Sequence, residues 1–324
     1  AQAIQQAKTS PLQLQLVEAS SWLRYVSGNP AWRTGFMRSL AANLQDDGLP
    51  MGLRARLLTN LVFSGVAGIS KLLKQMLRSP LHSVRWLGAL GAGLNRDPDL
   101  LEDLTLLLYE GSAFVSQAAC LALATYGDQR ALEALTRALL EGDDSTRRAA
   151  AEALAMHPEE GHPVLKDGAT VEDVAVRRAV VFGLARVKEN WAQQILHELQ
   201  TGDEQWVVRN AAIQIIEDMK LDAISIPSKM PPLHDSAWLA RYASEKGMGL
   251  SPGQASWDLL ASALKDGGEE TQMAAMYIYR LKPEESYAVL EPLVELMRDR
   301  DGEIREVAYN TLWHLQANKV AVAG

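Results

Sequence analysis

Cysteine is almost absent from this chain of 324 residues, in which Cys120 is the single example. One cysteine excludes an internal disulfide framework and favours a reducing compartment, so we expect a cytoplasmic protein. Cys120 lies in an apolar, alanine-rich segment. At such a position we expect a small, buried and unreactive side chain.

Long apolar runs are also lacking. No stretch approaches the roughly 18 uncharged apolar residues of a membrane span, and residues 1–20 lack the basic start and apolar core of a signal peptide. We therefore expect no membrane contact. The chain begins with Ala1 rather than Met, which suits a piece or a processed form of a longer protein, although an artificially chosen start would look the same.

Aromatic residues make up 6% of the chain, and stretches that alternate between apolar and polar residues are few. Both features disfavour a β-sheet. Leucine, alanine, glutamate, arginine and glutamine, all strong helix formers, dominate instead. The composition predicts an all-α protein.

An arginine recurs along the chain at steps of 30 to 33 residues. The series is Arg24, Arg54, Arg85, Arg147, Arg177, Arg209, Arg241 and Arg305, with Ser116 and Gln272 at the two positions where arginine is missing. Self-similarity at such a period indicates a solenoid of stacked repeats. Because the repeats fill the chain, we expect no separate catalytic domain.

The clearest repeat runs from about Asp128 to Met156. Its first half carries leucines at helical spacing, namely Leu132, Leu135 and Leu139. Gly142 then ends one helix, and the acidic residues that follow it are candidates for capping the next. The second helix is rich in alanine, which permits close approach of a neighbouring helix.

Each clear repeat combines an acidic turn, a Val-Arg pair and an alanine-rich helix, as in Asp203 with Val208-Arg209-Asn210-Ala211-Ala212. This pattern resembles HEAT repeats, particularly the short bacterial kind also found in phycobilin lyase proteins. The resemblance implies a bacterial protein with a right-handed α-α superhelix (a HEAT-like, armadillo-like solenoid) of about nine to ten helical hairpins, a single domain over 1–324. Stacked second helices would line its concave face.

Two segments depart from the repeat pattern. The proline-rich segment 221–235 replaces a first helix and is interpreted as a packed loop inside one solenoid, with a linker between two arrays as the alternative. Between His157 and Gly168, two prolines and a glycine are expected to shorten a first helix.

The resemblance also implies a role for the repeated arginine, which in HEAT-like proteins commonly pairs with an acidic residue in the turn of an adjacent repeat. We expect such an arginine ladder here. Its expected arginines are Arg147, Arg177, Arg209 and Arg305, and its expected carboxylates are Asp143, Asp173, Asp203 and Asp301.

The net charge of −8 conceals an asymmetry, since residues 1–96 carry a net charge of +8 and the rest carries −16. The excess basic residues of the first third have no acidic partners nearby in sequence, which leaves binding of nucleic acid or another polyanion as an alternative function. A pI near 5.4 disfavours nucleic acid. The opposite charges of the two ends predict self-association that weakens as salt rises.

No motif for catalysis or for a cofactor is apparent. Histidines at metal-ligand spacing, nucleophile signatures and phosphate loops are absent from the sequence, so we expect neither enzyme activity nor a bound metal. Gly88, Gly91 and Gly93 are interpreted as packing positions within a helix. A bilin lyase-like, chromophore-handling protein is the enzymatic alternative, in which tryptophans such as Trp86 line a groove for a flat tetrapyrrole.

The sequence therefore predicts a non-catalytic protein–protein interaction scaffold, or a partner-docking or sensor module of a larger regulatory protein. Its partner is expected to be another protein, bound in the concave groove. The candidate binding residues are Arg148, Arg178, Trp206, Asn210, Trp238 and Arg241. If Arg148 and Arg178 are exposed on neighbouring repeats, they lie about 10 Å apart and suit an acidic peptide or a phosphate group.

Overall fold

A computed structural model describes residues 12–26, 30–66, 68–220, 242, 254–281, 290–299 and 301–317. These residues form α-helices joined by turns, and no strand occurs among them. The predicted all-α fold is confirmed. Segment 221–235, Trp238 and Arg241 lie outside the described residues.

The helices are numbered in chain order. They are α1 (Leu14–Trp22), α2 (Ala31–Gln45), α3 (Met51–Phe63), α4 (Ile69–Leu77), α5 (His82–Asn95), α6 (Leu101–Leu107), α7 (Ala113–Tyr126), α8 (Gln129–Glu141) and α9 (Asp144–Leu154). They continue with α10 (Gly161–Gly168), α11 (Val174–Leu184), α12 (Asn190–Gly202), α13 (Trp206–Lys220), α14 (Gln254–Asp266), α15 (Glu269–Leu281), α16 (Leu290–Leu296) and α17 (Gly302–Ala317). Short 3₁₀ turns lie at Leu23–Tyr25 and Pro98–Leu100.

The backbone contacts divide the chain into two compact units, which are described separately. Of the described residues, 12–23, 48–57 and those from 242 onward lie in the first unit, and all others lie in the second. The expectation of a single solenoid over 1–324 stays a prediction.

The second unit is a stack of helical hairpins. Its first helices α4, α6, α8, α10 and α12 each pack against the helix that follows, and the second helices α5, α7, α9, α11 and α13 pack against one another in order. In the first unit, α14 with α15 and α16 with α17 form two hairpins in the same way. Each repeat therefore buries its apolar face mainly on its neighbours, as a solenoid requires.

Leucines of the first helices and small residues of the second helices form the core. In α8 the buried leucines include Leu135 and Leu139, and α9 buries Ala150 and Ala151. The backbones approach closely where glycine occupies a second helix: a Cβ at Gly93 would lie 2.9 Å from the Cα of Ala122 in the next repeat. A Cβ at Gly88 would lie 2.9 Å from the backbone nitrogen of Leu77, and one at Gly91 would lie 2.5 Å from the side chain of Leu73, so these glycines are packing positions too.

The repeated arginine occupies one structural position, the fourth residue of a second helix. That position holds Arg54, Arg85, Ser116, Arg147, Arg177, Arg209, Gln272 and Arg305 in α3, α5, α7, α9, α11, α13, α15 and α17. Arg24 does not follow the rule, because it lies in the 3₁₀ turn after α1. Its place in the series was wrong, since spacing alone does not show which helix of a hairpin carries the residue.

The first helix after His157 is shortened, as predicted. Helix α10 has eight residues, against thirteen in each of the neighbouring first helices α8 and α12; α6 is also short, with seven. Its first residue, Gly161, packs so closely against the end of α9 that a Cβ there would lie 2.0 Å from the carbonyl oxygen of Leu154. A side chain at this position would therefore force the two helices apart.

Cys120 is buried in α7, with 1% of its surface exposed. Burial raises the pKa of its thiol to about 12. Because the thiolate is the reactive form of cysteine, this thiol is unreactive at neutral pH, and the predicted buried, inert role agrees with the structure.

Candidate functional site

The turns before the second helices carry aspartates that cap the helix N-termini. Asp143 accepts a hydrogen bond from the backbone N–H of Thr146 at 2.8 Å, and Asp173 accepts one from Ala175 at 2.8 Å. The bond from Thr146 lowers the pKa of Asp143. The predicted acidic caps are confirmed, and they fix where each second helix begins.

The arginine ladder is present where the sequence predicts it for two arginines. Arg147 Nη1 lies 3.0 Å from Asp173 Oδ2, and Arg177 Nε lies 2.8 Å from Asp203 Oδ2. Arg85 extends the ladder, with Nε 2.5 Å from Glu110 Oε2. In each case the carboxylate belongs to the turn before the next second helix, so the pair joins consecutive repeats.

The arginines of the repeated position also bind the backbone ahead of their own helix. Arg147 Nε donates to the carbonyl of Gly142 at 2.6 Å, and Arg209 Nη1 donates to the carbonyl of Asp203 at 2.6 Å. Arg305 Nη1 donates to Asp299 in the equivalent way, at 2.9 Å. For Arg209 and Arg305, pairing with a carboxylate of an adjacent repeat stays a prediction.

Asp143 departs from the predicted ladder. In the described part of the chain it pairs with no arginine, because Ser116 occupies the position one repeat earlier that would hold the partner. Asp143 serves as a helix cap only, and the ladder has a gap between α7 and α9.

Several basic residues of the first third have acidic partners that the sequence did not reveal. Arg78 Nε lies 2.6 Å from Asp103 Oδ1, and Lys74 Nζ lies 3.6 Å from Asp103 Oδ2. Asp103 is buried in the next repeat. These cations lack acidic partners nearby in sequence, as noted above, and the stacking of the following repeat supplies one from 25 or more residues away.

The second helices present a continuous exposed surface. Their fifth and ninth residues, and the residue four positions further on, project from the same side because helical side chains recur every three to four residues. Thr125, which this rule also selects on α7, is half-buried and is left out. We call the other residues so selected on α7, α9 and α11 the second-helix surface, which consists of Gln117, Leu121, Arg148, Glu152, Met156, Arg178, Phe182 and Arg186.

Two of the predicted binding residues, Arg148 and Arg178, lie on this surface. Their side chains are 49% and 47% exposed, whereas those of Arg147 and Arg177 are 15% and 13% exposed. Each arginine doublet therefore has one member in the ladder and one at the surface. The first member joins the repeats, and the second is accessible to a partner.

The two exposed arginines already have partners within the chain. Arg148 Nε lies 3.0 Å from Glu152 Oε1, and its guanidinium lies 4.1 Å from the centre of the Phe182 ring. Arg178 Nη1 lies 3.3 Å from Asp144 Oδ2. They are therefore exposed, as predicted, and they are also members of ion pairs along the surface; binding of an acidic peptide or a phosphate group by them stays a prediction.

A concavity of about 550 Å³ lies on the second-helix surface. Its rim includes Leu121 and Met156, whose side chains are 48% and 54% exposed. We call it the Leu121–Met156 pocket. It is lined by Gln117, Leu121, Arg148, Ala149, Glu152, Ala153, Met156 and Arg186.

The remaining predicted binding residues are only partly described. Trp206, the first residue of α13, is 66% exposed, and Asn210, one turn later, is also exposed. Trp238 and Arg241 lie outside the described residues. Leu121, Glu152, Met156 and Arg186 were missed, although their signal was present: each lies four or eight residues after the fifth position of a second helix.

Within the described residues there is no group of three or more histidine, cysteine or acidic side chains placed to hold a metal. No described helix is long and apolar enough to cross a membrane. The second-helix surface offers guanidinium, carboxylate, thioether and alkyl groups, which can bind another molecule by hydrogen bonds, charge and apolar contact.

The comparisons with known proteins concern the repeats. Residues 69–155, from α4 through α9, match the family described as HEAT repeats. No curated protein matches the chain. Two crystal structures of engineered proteins are each 18% identical to it: one covers 98% of this chain and 99% of its own with a TM-score of 0.31, and the other covers 93% and 96% with a TM-score of 0.19.

TM-scores of this size do not establish a shared overall structure. The type of repeat is therefore assigned from the family match and from the packing of the helices. The hairpins after residue 155 repeat the stacking of the matched ones. HEAT repeats generally mediate protein–protein interaction. The chain is a helical repeat protein whose residues 69–155 match HEAT repeats, in agreement with the resemblance of its sequence.

Proposed function

We propose that the chain is a non-catalytic protein–protein interaction scaffold, or the partner-docking module of a larger protein, that binds its partner at the second-helix surface. The observation that carries this proposal is the Leu121–Met156 pocket. It is a concavity of about 550 Å³ in which exposed apolar side chains lie beside two arginines.

The apolar part of the pocket supports binding. Leu121 and Met156 come from consecutive repeats, and about half of each side chain is exposed. Exposed apolar side chains grouped in a concavity mark interaction sites. Covering their exposed halves would stabilise a complex by about 1 kcal/mol each.

The polar part of the pocket supports recognition rather than catalysis. Arginine beside apolar groups is typical of the residues that contribute most to interfaces. The one carboxylate of the pocket, Glu152, accepts hydrogen bonds on both oxygens, from Arg148 and from Arg186. A carboxylate held in this way is poorly placed to act as a general base.

The experiment compares two leucines of equal exposure. Leu121 is 48% exposed in the pocket, and Leu140 is 47% exposed on first helix α8. Leu140 lines a separate concavity of about 710 Å³ on the first helices, so the comparison also decides between the two concavities. A photo-crosslinking amino acid is introduced at either position, and the protein is irradiated in an extract of its source organism. We expect a protein to be crosslinked from position 121 and not from position 140.

The matched substitutions Leu121→Asp and Leu140→Asp complete the test. Capture of the crosslinked protein should be lost with Leu121→Asp and kept with Leu140→Asp, while both variants melt cooperatively. Equal capture by the two variants would assign the partner to another surface and contradict the proposal.

A further inference from the structure

The Leu121–Met156 pocket contains more positive than negative charge. Arg148 Nε lies 3.0 Å from Glu152 Oε1, and Arg186 Nη2 lies 3.0 Å from Glu152 Oε2. Two guanidiniums therefore share one carboxylate, and each carboxylate oxygen accepts a bond from a different arginine. The pocket keeps an excess of one positive charge.

The two arginines also keep donors for a ligand. A guanidinium has five N–H groups, and in the described part of the chain Glu152 is the acceptor that Arg148 and Arg186 contact. Their side chains are 49% and 64% exposed. Because both reach the same carboxylate, they lie close enough to share a second one.

Arg148 is held in place before any ligand binds. Its guanidinium lies 4.1 Å from the centre of the Phe182 ring on the next repeat, which adds a cation–π contact to the bond with Glu152. A donor that is already oriented loses less freedom on binding, so its contacts contribute more to affinity.

The apolar part of the pocket adjoins this pair. Met156 follows Glu152 by four residues and so lies about one helical turn away on the same side. Leu121, on the preceding repeat, and the alanines Ala149 and Ala153 line the pocket with it. Small residues there leave room for an inserted side chain.

We infer that the partner presents an acidic-aliphatic segment, in which a carboxylate binds between Arg148 and Arg186 while a neighbouring apolar side chain enters the pocket between Leu121 and Met156. This inference rests on the proposed function and specifies its partner. A basic segment would be repelled by the excess positive charge, and a purely apolar one would remove the guanidiniums from water without replacing their hydrogen bonds.

The test selects binders from a display library of short random peptides on the full chain. We expect enriched peptides to combine aspartate or glutamate with leucine, isoleucine, methionine or phenylalanine a few positions away. Binding of one such synthetic peptide, followed by fluorescence anisotropy, should weaken about tenfold in Arg186→Gln, the loss expected for hydrogen bonds between charged groups.

The matched control is Arg130→Gln. Arg130 is 70% exposed on first helix α8 and pairs with Asp128, away from the pocket. The Arg130→Gln variant should bind the peptide as tightly as the unmodified chain does. Arg186→Lys, which keeps the charge but not the planar fork of donors, should give an intermediate affinity.

Other outcomes would overturn the inference in distinguishable ways. Enriched peptides that are basic, or apolar without acidic residues, would overturn it but leave the proposed function intact if Leu121→Asp abolishes their binding. Peptides that bind Leu121→Asp unchanged would count against both the inference and the proposed function.

Displacement of the peptide by inorganic phosphate, independent of its apolar residue, would assign the pocket to a phosphate group. A library that yields no binders would overturn the inference, while crosslinking from position 121 still tests the proposed function.

Discussion

The guanidinium of Arg177 lies 2.8 Å from the carboxylate of Asp203, which follows it by 26 residues in the next repeat. The same guanidinium donates to the carbonyl of Val171, ahead of its own helix, at 2.7 Å. One side chain thus joins the turn before α11 to the turn before α13. With side chains 13% and 4% exposed, the pair is largely shielded from water.

Removing one partner of this pair should destabilise the stack. In Arg177→Ala the carboxylate of Asp203 loses its charged donor, and we expect a loss of about 2 kcal/mol, typical of a hydrogen bond between charged groups. Urea unfolding followed by circular dichroism measures it. The exposed neighbour Arg178→Ala is the control and should change the midpoint little; equal effects would mean that the two doublet positions have no separate roles.

The ladder should also make stability depend on pH. The hydrogen bond from Arg177 lowers the pKa of the Asp203 carboxyl below its usual value. A lowered pKa in the folded state means that the carboxylate stabilises the fold above its unfolded pKa, which is near 4, and that this stabilisation is lost as the pH falls through the folded pKa. The difference in stability between the unmodified chain and Asp203→Asn should therefore be full at neutral pH and shrink below about pH 4. A difference independent of pH would contradict this account.

Glycine should be required in the second helices only where backbones touch. A Cβ at Gly183 in α11 would lie 2.6 Å from the carbonyl oxygen of Ala151 in α9. Gly183→Ala should therefore destabilise the protein by about 2 kcal/mol, the usual cost of overpacking. Gly35→Ala is the matched control, because Gly35 is also helical but a Cβ there would meet no atom within 4 Å; it should stabilise by up to about 1 kcal/mol. Thermal melting distinguishes the two.

The architecture could be predicted because its signals are local. The motif around Arg147 consists of an acidic turn, the arginine and the alanines that follow it. The whole motif spans about a dozen residues, so the sequence alone shows where each second helix begins. The shortened α10 was predicted on the same basis, from the prolines and glycines of its own segment. Arg24 was misassigned because it shares the spacing without sharing the helix.

The helical positions of the pocket residues could be read from the sequence, but their meeting in one pocket could not. Leu121 and Met156 lie on different repeats, and only stacking brings them to one concavity. The bond between Arg186 and Glu152 spans 34 residues, and the partner of Arg78 belongs to the next repeat. Contacts of this kind depend on the packing between hairpins, which the sequence pattern within a single hairpin does not specify.

The exposed arginines should contribute to binding more than to folding. In Arg148→Ala with Arg178→Ala, the lost ion pairs to Glu152 and Asp144 are exposed to solvent, and such pairs contribute little to stability. We expect the free energy of unfolding to fall by less than about 1 kcal/mol, so that the melting temperature changes only slightly. Capture of the partner that crosslinks from position 121 should weaken. A large loss of thermal stability would instead place these arginines among the groups that join the repeats.

The gap in the ladder offers the sharpest test of how the repeats are joined. Ser116 occupies the arginine position of α7, and the residue that would pair with an arginine there is Asp143, which acts as a helix cap. Ser116→Arg should reach that carboxylate and stabilise the protein by about 1 kcal/mol. The gain should disappear in an Asp143→Asn background, measured by the same urea unfolding. If Ser116→Arg destabilises the chain in both backgrounds, the buried serine is required by packing, and the gap is then a feature that the α7–α9 junction needs.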